Sequence, residues 1–221
     1  MTDAPSAAPV PVPVAKTPKG ASTRRRIVDA AIELFAAQGY HATTINEIGL
    51  RAGVQRGALY HHIKAKEDLL HEVLTQHVEA VLEAAQAIVD ADLAPAEKLD
   101  RLLRTHARTL LERGGELAIY DRDARALTGA RRTDLRARQA EVERLWVRIF
   151  QEGVQAHTLR ALDPVAIKAL IGMVNALHHW FRPDGRLGAE EIAQIISDVV
   201  LRGVLVVPAE ARLSRVGRRT P

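Results

Sequence analysis

Cysteine is absent from the 221 residues, which excludes disulfides, thiolate metal ligation and thiol catalysis. Aromatic residues are scarce at 4%. No run of about 18 apolar residues occurs, the length a membrane-crossing helix requires. The first residues lack a charged stretch followed by an apolar one, so no secretion signal is expected. The motifs of common enzyme classes are also missing: no G-x-S-x-G elbow, no phosphate-binding glycine loop, no G-x-G-x-x-G and no H-E-x-x-H. The nine histidines do not repeat at metal spacing. His61-His62 and His178-His179 are neighbours that face different ways on a helix, and Asp121 and Asp123 stand two apart and do not converge. These absences predict no catalytic residue, no metal, no cofactor and a cytoplasmic protein outside any membrane.

What is present is helix-forming. Hydrophobic residues make up 47% and charged residues 26%, with Ala, Leu, Val, Glu and Arg abundant. The net charge of +4 is unevenly spread. Through residue 66 there are nine Lys and Arg against four Asp and Glu; thereafter there are 22 against 23. That asymmetry suggests a polyanion partner for the N-terminal third. Residues 1–21, with repeated proline, read as a flexible tail, and 208–221 as a loose basic one.

Between the tails, apolar spacing predicts helices and no strands. Ile27, Ala30, Ala31, Leu34 and Phe35 mark a helix over 22–38, with Gly39 as a left-handed stop. Thr43 or Thr44 caps a second helix carrying Ile45 and Ile48. Ala52-Gly53-Val54 is a tight turn, and a third helix runs over 55–61. A long helix from Lys66 to Asp90 follows, then one from Pro95 to Glu112, broken at Gly114-Gly115. Further helices are expected through Leu117–Leu127, over 132–156, over 163–181 and over 189–205. In the helix over 163–181, Val165, Leu170, Met173, Val174, Leu177, Trp180 and Phe181 form the apolar set. The fold class is therefore all-α. A three-helix head occupies 22–68, and a helical body occupies 69–207.

The densest signal is T-I-N-E-I-G-L-R-A-G-V-Q-R-G-A-L-Y-H-H-I-K-A-K-E-D-L-L, from Thr44 to Leu70. Two short helices joined by A-G-V form a helix-turn-helix, whose second helix enters a DNA major groove. Gly57 and Ala58 are small enough for close backbone approach. Gln55 and Arg56 lead the helix toward base edges or phosphates, and Tyr60 and His61 can hydrogen-bond phosphate oxygens. Lys66 and Thr44, at helix starts, are placed for phosphates. Leu59 and Ile63 read as core.

This window closely resembles the DNA-binding region of the TetR family, whose usual run is T-x-x-x-I-A-x-x-A-G-V-S-x-G-x-L-Y-x-H-F-x-x-K-E-x-L. The resemblance covers residues 24–74. It implies phosphate contacts from Thr44, Tyr60 and Lys66 and base-region contacts from 55–61. Three positions depart from the run: Gly49 for Ala, expected to loosen the second helix by roughly 1 kcal/mol, Gln55 for Ser, and Ile63 for Phe. The resemblance also implies a four-helix bundle across a two-fold axis, formed by 163–181 and 189–205 of two copies. Those helices are too apolar for one wetted face, although burial within one chain would also account for them. A homodimer matches the need to read a double-stranded, pseudo-palindromic operator.

In the body, residues 115–127, 146–153 and 175–187 resemble the branch of the family that senses CoA thioesters. This implies a small-molecule effector, an acyl-CoA. Tyr120, Trp146, Phe150, Met173, Leu177 and Trp180 are candidates for its apolar part, and Arg122 and His178 for its polar part. Plain core packing explains each aromatic equally well, and an ion pair or a solvated face explains Arg122. The function expected is a ligand-released transcriptional repressor. The competing reading is a non-specific architectural DNA-binding protein.

Overall fold

The computed structural model describes residues 22–206; the two expected tails lie outside them. Nine α-helices stand among the described residues: α1 (Thr23–Gln38), α2 (Ile45–Ala52), α3 (Arg56–His62), α4 (Lys66–Asp90), α5 (Pro95–Glu112), α6 (Gly114–Asp123), α7 (Gly129–Gln155), α8 (Pro164–Asn175) and α9 (Ala189–Val204). The only pairing of extended backbone in this region is an isolated antiparallel bridge between Leu159 and Leu205. The helices form two compact units. One comprises 22–77 and 113–136, the other 78–112 and 137–206. Both α4 and α7 contribute to each.

In the first unit, Ser22 caps α1 by accepting the Arg25 N–H at 3.2 Å. The apolar spacing of α1 buries Ile27, Ala30, Ala31 and Phe35 against α2 and α6. Gly39 ends the helix with φ +90° and ψ 157°. It is therefore extended at positive φ rather than left-handed helical as expected. Thr44, not Thr43, caps α2. Its hydroxyl oxygen accepts the Glu47 N–H at 3.2 Å while Glu47 Oε2 accepts the Thr44 N–H at 2.7 Å, a reciprocal cap. Gly53, at φ +63° and ψ 39°, makes the left-handed stop after α2, a conformation that favours glycine.

Gly49 does more than loosen α2. A β-carbon there would lie 2.6 Å from Leu59 Cδ2, so the missing side chain is the room that Leu59 of α3 fills.

In the second unit α5 buries Leu99, Leu102, Leu103, Ala107 and Leu110 and packs chiefly on α9. From α9, Ile192, Ala193, Val200 and Val204 face inward. The Ser197 hydroxyl donates to Asp100 Oδ1 at 2.5 Å, tying α9 to α5. Lys98, 8% exposed, donates to the Val89 carbonyl at 2.7 Å and to Glu152 at 3.0 Å. Asp163 and Pro164 start α8 as expected: Asp163 Oδ1 accepts the Val165 N–H at 2.8 Å.

Three expectations need correction. The helix from Pro95 ends at Glu112 as expected, but Gly114 and Gly115 are not a gap after it: they form the first turn of α6, with Gly115 buried. The α-helix expected through Leu127 ends at Asp123 and tightens into a 3-10 turn over Ala124–Ala126. The α-helix expected to reach Phe181 ends at Asn175 and becomes a 3-10 turn over Ala176–His179. Two of the latter helix's apolar residues, Val165 and Trp180, are 73% and 55% exposed.

Candidate nucleic-acid interface

The α3 helix has one buried side and one bare side. Leu59 within it and Ile63 just after it are each 1% exposed and anchor it to the core. Gln55, Arg56, Gly57, Ala58, Tyr60 and His61 are all exposed. A β-carbon on Gly57 would meet nothing within 4 Å, so the helix surface is flat there. Gln55 precedes α3 without a side-chain capping bond, which leaves its amide for other partners. The Arg56 guanidinium lies 5.9 Å from the centre of the Tyr60 ring, holding a cation beside the phenol. The structure thus brings six of the eight DNA-contact candidates onto one bare surface.

Thr44 and Lys66 are placed differently. Thr44 is exposed, but its hydroxyl donates to Glu47 Oε2 at 2.7 Å within the α2 cap. Lys66 Nζ donates to the Tyr40 carbonyl at 2.8 Å and the Thr43 carbonyl at 2.7 Å, and sits 4.4 Å from the centre of the Tyr40 ring. Its ammonium therefore ties the segment between α1 and α2 to the start of α4.

Other cations of the basic N-terminal third have internal duties as well. Arg26 donates to the carbonyls of Ala52 and Gly53 at the end of α2. Arg24 donates to the His62 carbonyl at the end of α3 and pairs with Glu72 of α4. Arg51 pairs with Glu33, and Arg25 with Asp29 at 3.0 Å. Helix C-termini present unsatisfied carbonyls and a partial negative charge, so these arginines stabilise the arrangement that holds α3 out.

The other anchor of this unit comes from α6. Asp123, 4% exposed, accepts the Tyr40 N–H at 3.1 Å and the Arg122 Nε–H at 3.1 Å. Arg122 also donates to the Phe35 carbonyl in the last turn of α1. A β-carbon on Gly39 would lie 3.5 Å from this guanidinium. Arg122, a candidate for effector binding, is thus engaged with the end of α1. The bond of Asp123 to the Tyr40 N–H escaped sequence reading, which offers Asp123 only as an ion-pair partner for a nearby arginine.

The remaining effector candidates divide. Tyr120, in the first unit, is half-buried, and its ring centre is 6.4 Å from that of buried His77. Burial, and then the charge of Asp121, raise the Tyr120 phenol above its usual range, so it stays a neutral hydrogen-bonding group. In the second unit Trp146, Phe150 and Leu177 are buried, Met173 and His178 half-buried, and Trp180 exposed. His178 Nδ1 is 2.7 Å from the Asn175 carbonyl. Trp146 is 0% exposed and its indole Nε1 has no hydrogen-bond partner.

A bare second helix of a helix-turn-helix, in a chain whose described residues are helical, marks the class of DNA-binding regulators. Comparison with known proteins identifies which kind. Residues 27–73 match the family model of bacterial regulatory proteins of the tetR family, and residues 92–204 match that of the tetracycline-repressor-like C-terminal domain. The chain belongs to the TetR family of transcriptional regulators. It is 33% identical over 187 residues to the transcriptional repressor KstR2 of Mycolicibacterium smegmatis, covering 83% of this chain and 91% of that one. The structure of the ketosteroid transcriptional regulator KstR2 of Mycobacterium tuberculosis aligns with a TM-score of 0.77 at 26% identity, over 88% of this chain and all of the other. A structure of AibR in complex with isovaleryl coenzyme A and operator DNA aligns with a TM-score of 0.70 at 30% identity, over 81% and 96%. Among the described residues, no helix is long and apolar enough to cross a membrane.

Proposed function

We propose that this regulator is a cytoplasmic repressor that binds a pseudo-palindromic operator as a homodimer and is released by a CoA thioester of a catabolic pathway. Its head is residues 22–68 and its sensing and dimerising body 69–207. The observation that carries the DNA-binding part is the surface of Gln55, Arg56, Gly57, Ala58, Tyr60 and His61, exposed on a helix pinned from behind by Leu59 and Ile63. Thr44 and Lys66 add their share chiefly by fixing the backbone at and before the start of α2. A merely architectural DNA binder would have no need of so large a body.

The dimer reading is supported by the apolar side chains that the second unit leaves uncovered: Val165 on α8, Trp180 after it, and Ile195 and Val199 on α9, at 73, 55, 46 and 60% exposure. The effector reading is supported by the similarity to AibR, whose structure holds isovaleryl coenzyme A, and by Trp146, Phe150, Met173, Leu177, His178 and Trp180, which fall in one compact unit. Tyr120 and Arg122, the other two candidates, lie on α6 in the first unit. Release requires that the effector bind better to a conformation unsuited to the operator. Helix α4, which runs from the head into the body, is the lever, and the Arg122 and Asp123 bonds to α1 hold the head to α6.

The test is a titration of labelled duplex from upstream of the protein's own gene, at about 150 mM salt because phosphate contacts make affinity salt-dependent. Specific binding abolished by acyl-CoA thioesters is the expected result. Specific binding indifferent to them removes the CoA ligand and keeps the regulator. Binding no tighter than to random duplex overturns the operator reading.

A further inference from the structure

Trp146 combines a complete lack of exposure with a hydrogen-bond donor that no described residue satisfies. Buried indole N–H groups usually find an acceptor, because an unmatched donor loses its water for nothing. Val142, Leu145, Ile149 and Phe150, its apolar neighbours along α7, are all buried. Phenylalanine would fill an apolar site of this kind without the orphan donor, and α7 uses one at the adjacent Phe150. Against the indole stands the ring of His106 from α5, centre to centre 5.8 Å and edge to face at 64°, itself 5% exposed. The donor therefore lies where α5 meets α7, between the His106 ring and buried apolar side chains of α7.

We infer that the Trp146 indole N–H is the donor to a carbonyl oxygen of the effector, whose apolar body enters between α5 and α7 beside His106. The inference rests on the effector reading above and narrows it to a chemistry: an apolar molecule bearing a carbonyl, either an acyl thioester or a free ketone. An indole N–H has no acceptor function, so it selects an oxygen acceptor such as a carbonyl over a donor-only group such as an ammonium. Because the site is closed in the free protein, the effector binds only a form in which α5 and α7 have parted. Apparent affinity is then reduced by the rarity of that form.

Three probes separate the possibilities: isovaleryl-CoA, its thioether counterpart S-isopentyl-CoA, which has a methylene in place of the carbonyl, and methyl isobutyl ketone, which keeps the carbonyl without CoA. The chain has two tryptophans, so proton NMR shows two indole N–H resonances, and Trp146→Phe identifies one by its loss. The expected result is that isovaleryl-CoA or the ketone moves the Trp146 resonance downfield and S-isopentyl-CoA does not. Trp146→Phe should also weaken isovaleryl-CoA binding about tenfold, the usual worth of one hydrogen bond. It should leave S-isopentyl-CoA unchanged and the unfolding midpoint no lower. Should the ketone move the resonance while neither CoA compound binds, the donor role stands and the CoA reading falls. Should isovaleryl-CoA bind without moving the resonance, the CoA reading stands and the donor role is overturned. A resonance that no carbonyl probe moves overturns it too, and this arm uses the unaltered protein, so it holds even if Trp146→Phe folds poorly.

Discussion

Arg56 is an exposed cation at the start of α3 whose recorded contact is the Tyr60 ring; Arg26, thirty residues earlier, ends on two backbone carbonyls. In the sequence the two are the same letter in the same basic third. A carbonyl at a helix end and a phosphate oxygen ask for the same donor, and only the fold decides which a guanidinium meets. The charge asymmetry accordingly pointed at the DNA-binding segment, while much of that charge builds the segment rather than touching DNA. What the residues did reveal was the small-residue face at Gly57 and Ala58 and the anchors Leu59 and Ile63, because spacing on a helix sorts one side from the other. The distinction yields a prediction. Arg56→Ala should stay folded and dimeric by circular dichroism and sedimentation, since an exposed side chain is removed. It should lose about 1–3 kcal/mol of discrimination between its operator and a single-base variant at one position, the usual worth of a bidentate base contact. Unchanged discrimination in a competition titration would place Arg56 on the backbone instead.

Helix existence and order were legible because 3.6-residue periodicity, N-caps such as Ser22, Thr44 and Asp163, and the stop at Gly53 are local signals. Helix ends near Asp123 and Asn175 were not, since apolar residues continue past them and the switch to a 3-10 turn depends on packing. Nor was the partner of the start of α4. Glu67 Oε1 accepts the Thr128 N–H at 2.7 Å, Asp68 Oδ2 accepts the Ala65 N–H at 3.0 Å, and Arg131 of α7 donates to Asp68 at 2.9 Å. The Thr128 N–H holds the Glu67 carboxyl below its usual range. Burial alone would raise Asp68, but the bond and charge of Arg131 outweigh it and lower this carboxyl as well. A carboxyl depressed in the folded state adds stability at pH values above its unfolded value, about 4, and that stability drains away as pH falls through the folded value. Chemical unfolding at pH 7 and at about pH 3 should therefore show an acid loss. Arg131→Ala should lower stability at pH 7 and shrink the difference between the two. An acid limb identical to that of the unaltered protein would show that Asp68 is held by its backbone donors alone.

At the scale of the whole molecule the surface left by α8 and α9 sets the requirement. Monomeric proteins seldom leave Val, Ile and Trp side chains so bare together. A β-carbon added at Gly172 of α8 or Gly203 of α9 would meet nothing within 4 Å, so both positions open outward and leave room for a close-packed neighbour. The sequence showed that these helices were too apolar for one wetted face but could not say whether a second copy or the same chain covered them. The buried set Ile192, Ala193, Val200 and Val204 faces α5, and Ile195 and Val199 stay outside. A two-fold interface repeats every contact, so a change at one position acts twice. Burying a Val or Ile side chain is worth about 1.5–3 kcal/mol, and a buried unpaired carboxylate costs more. The double variant Ile195→Asp, Val199→Asp should therefore sediment as a monomer at concentrations where the unaltered protein is a dimer. Its helical circular dichroism should be unchanged, because both side chains are already exposed in the protomer. Losing the linkage between two heads should weaken binding to the full pseudo-palindrome by about a hundredfold or more, while binding to a half-site changes little. A double variant that still sediments as a dimer would move the interface off the exposed face of α9. A monomer that kept full operator affinity would mean that one head, not a pair, reads the DNA.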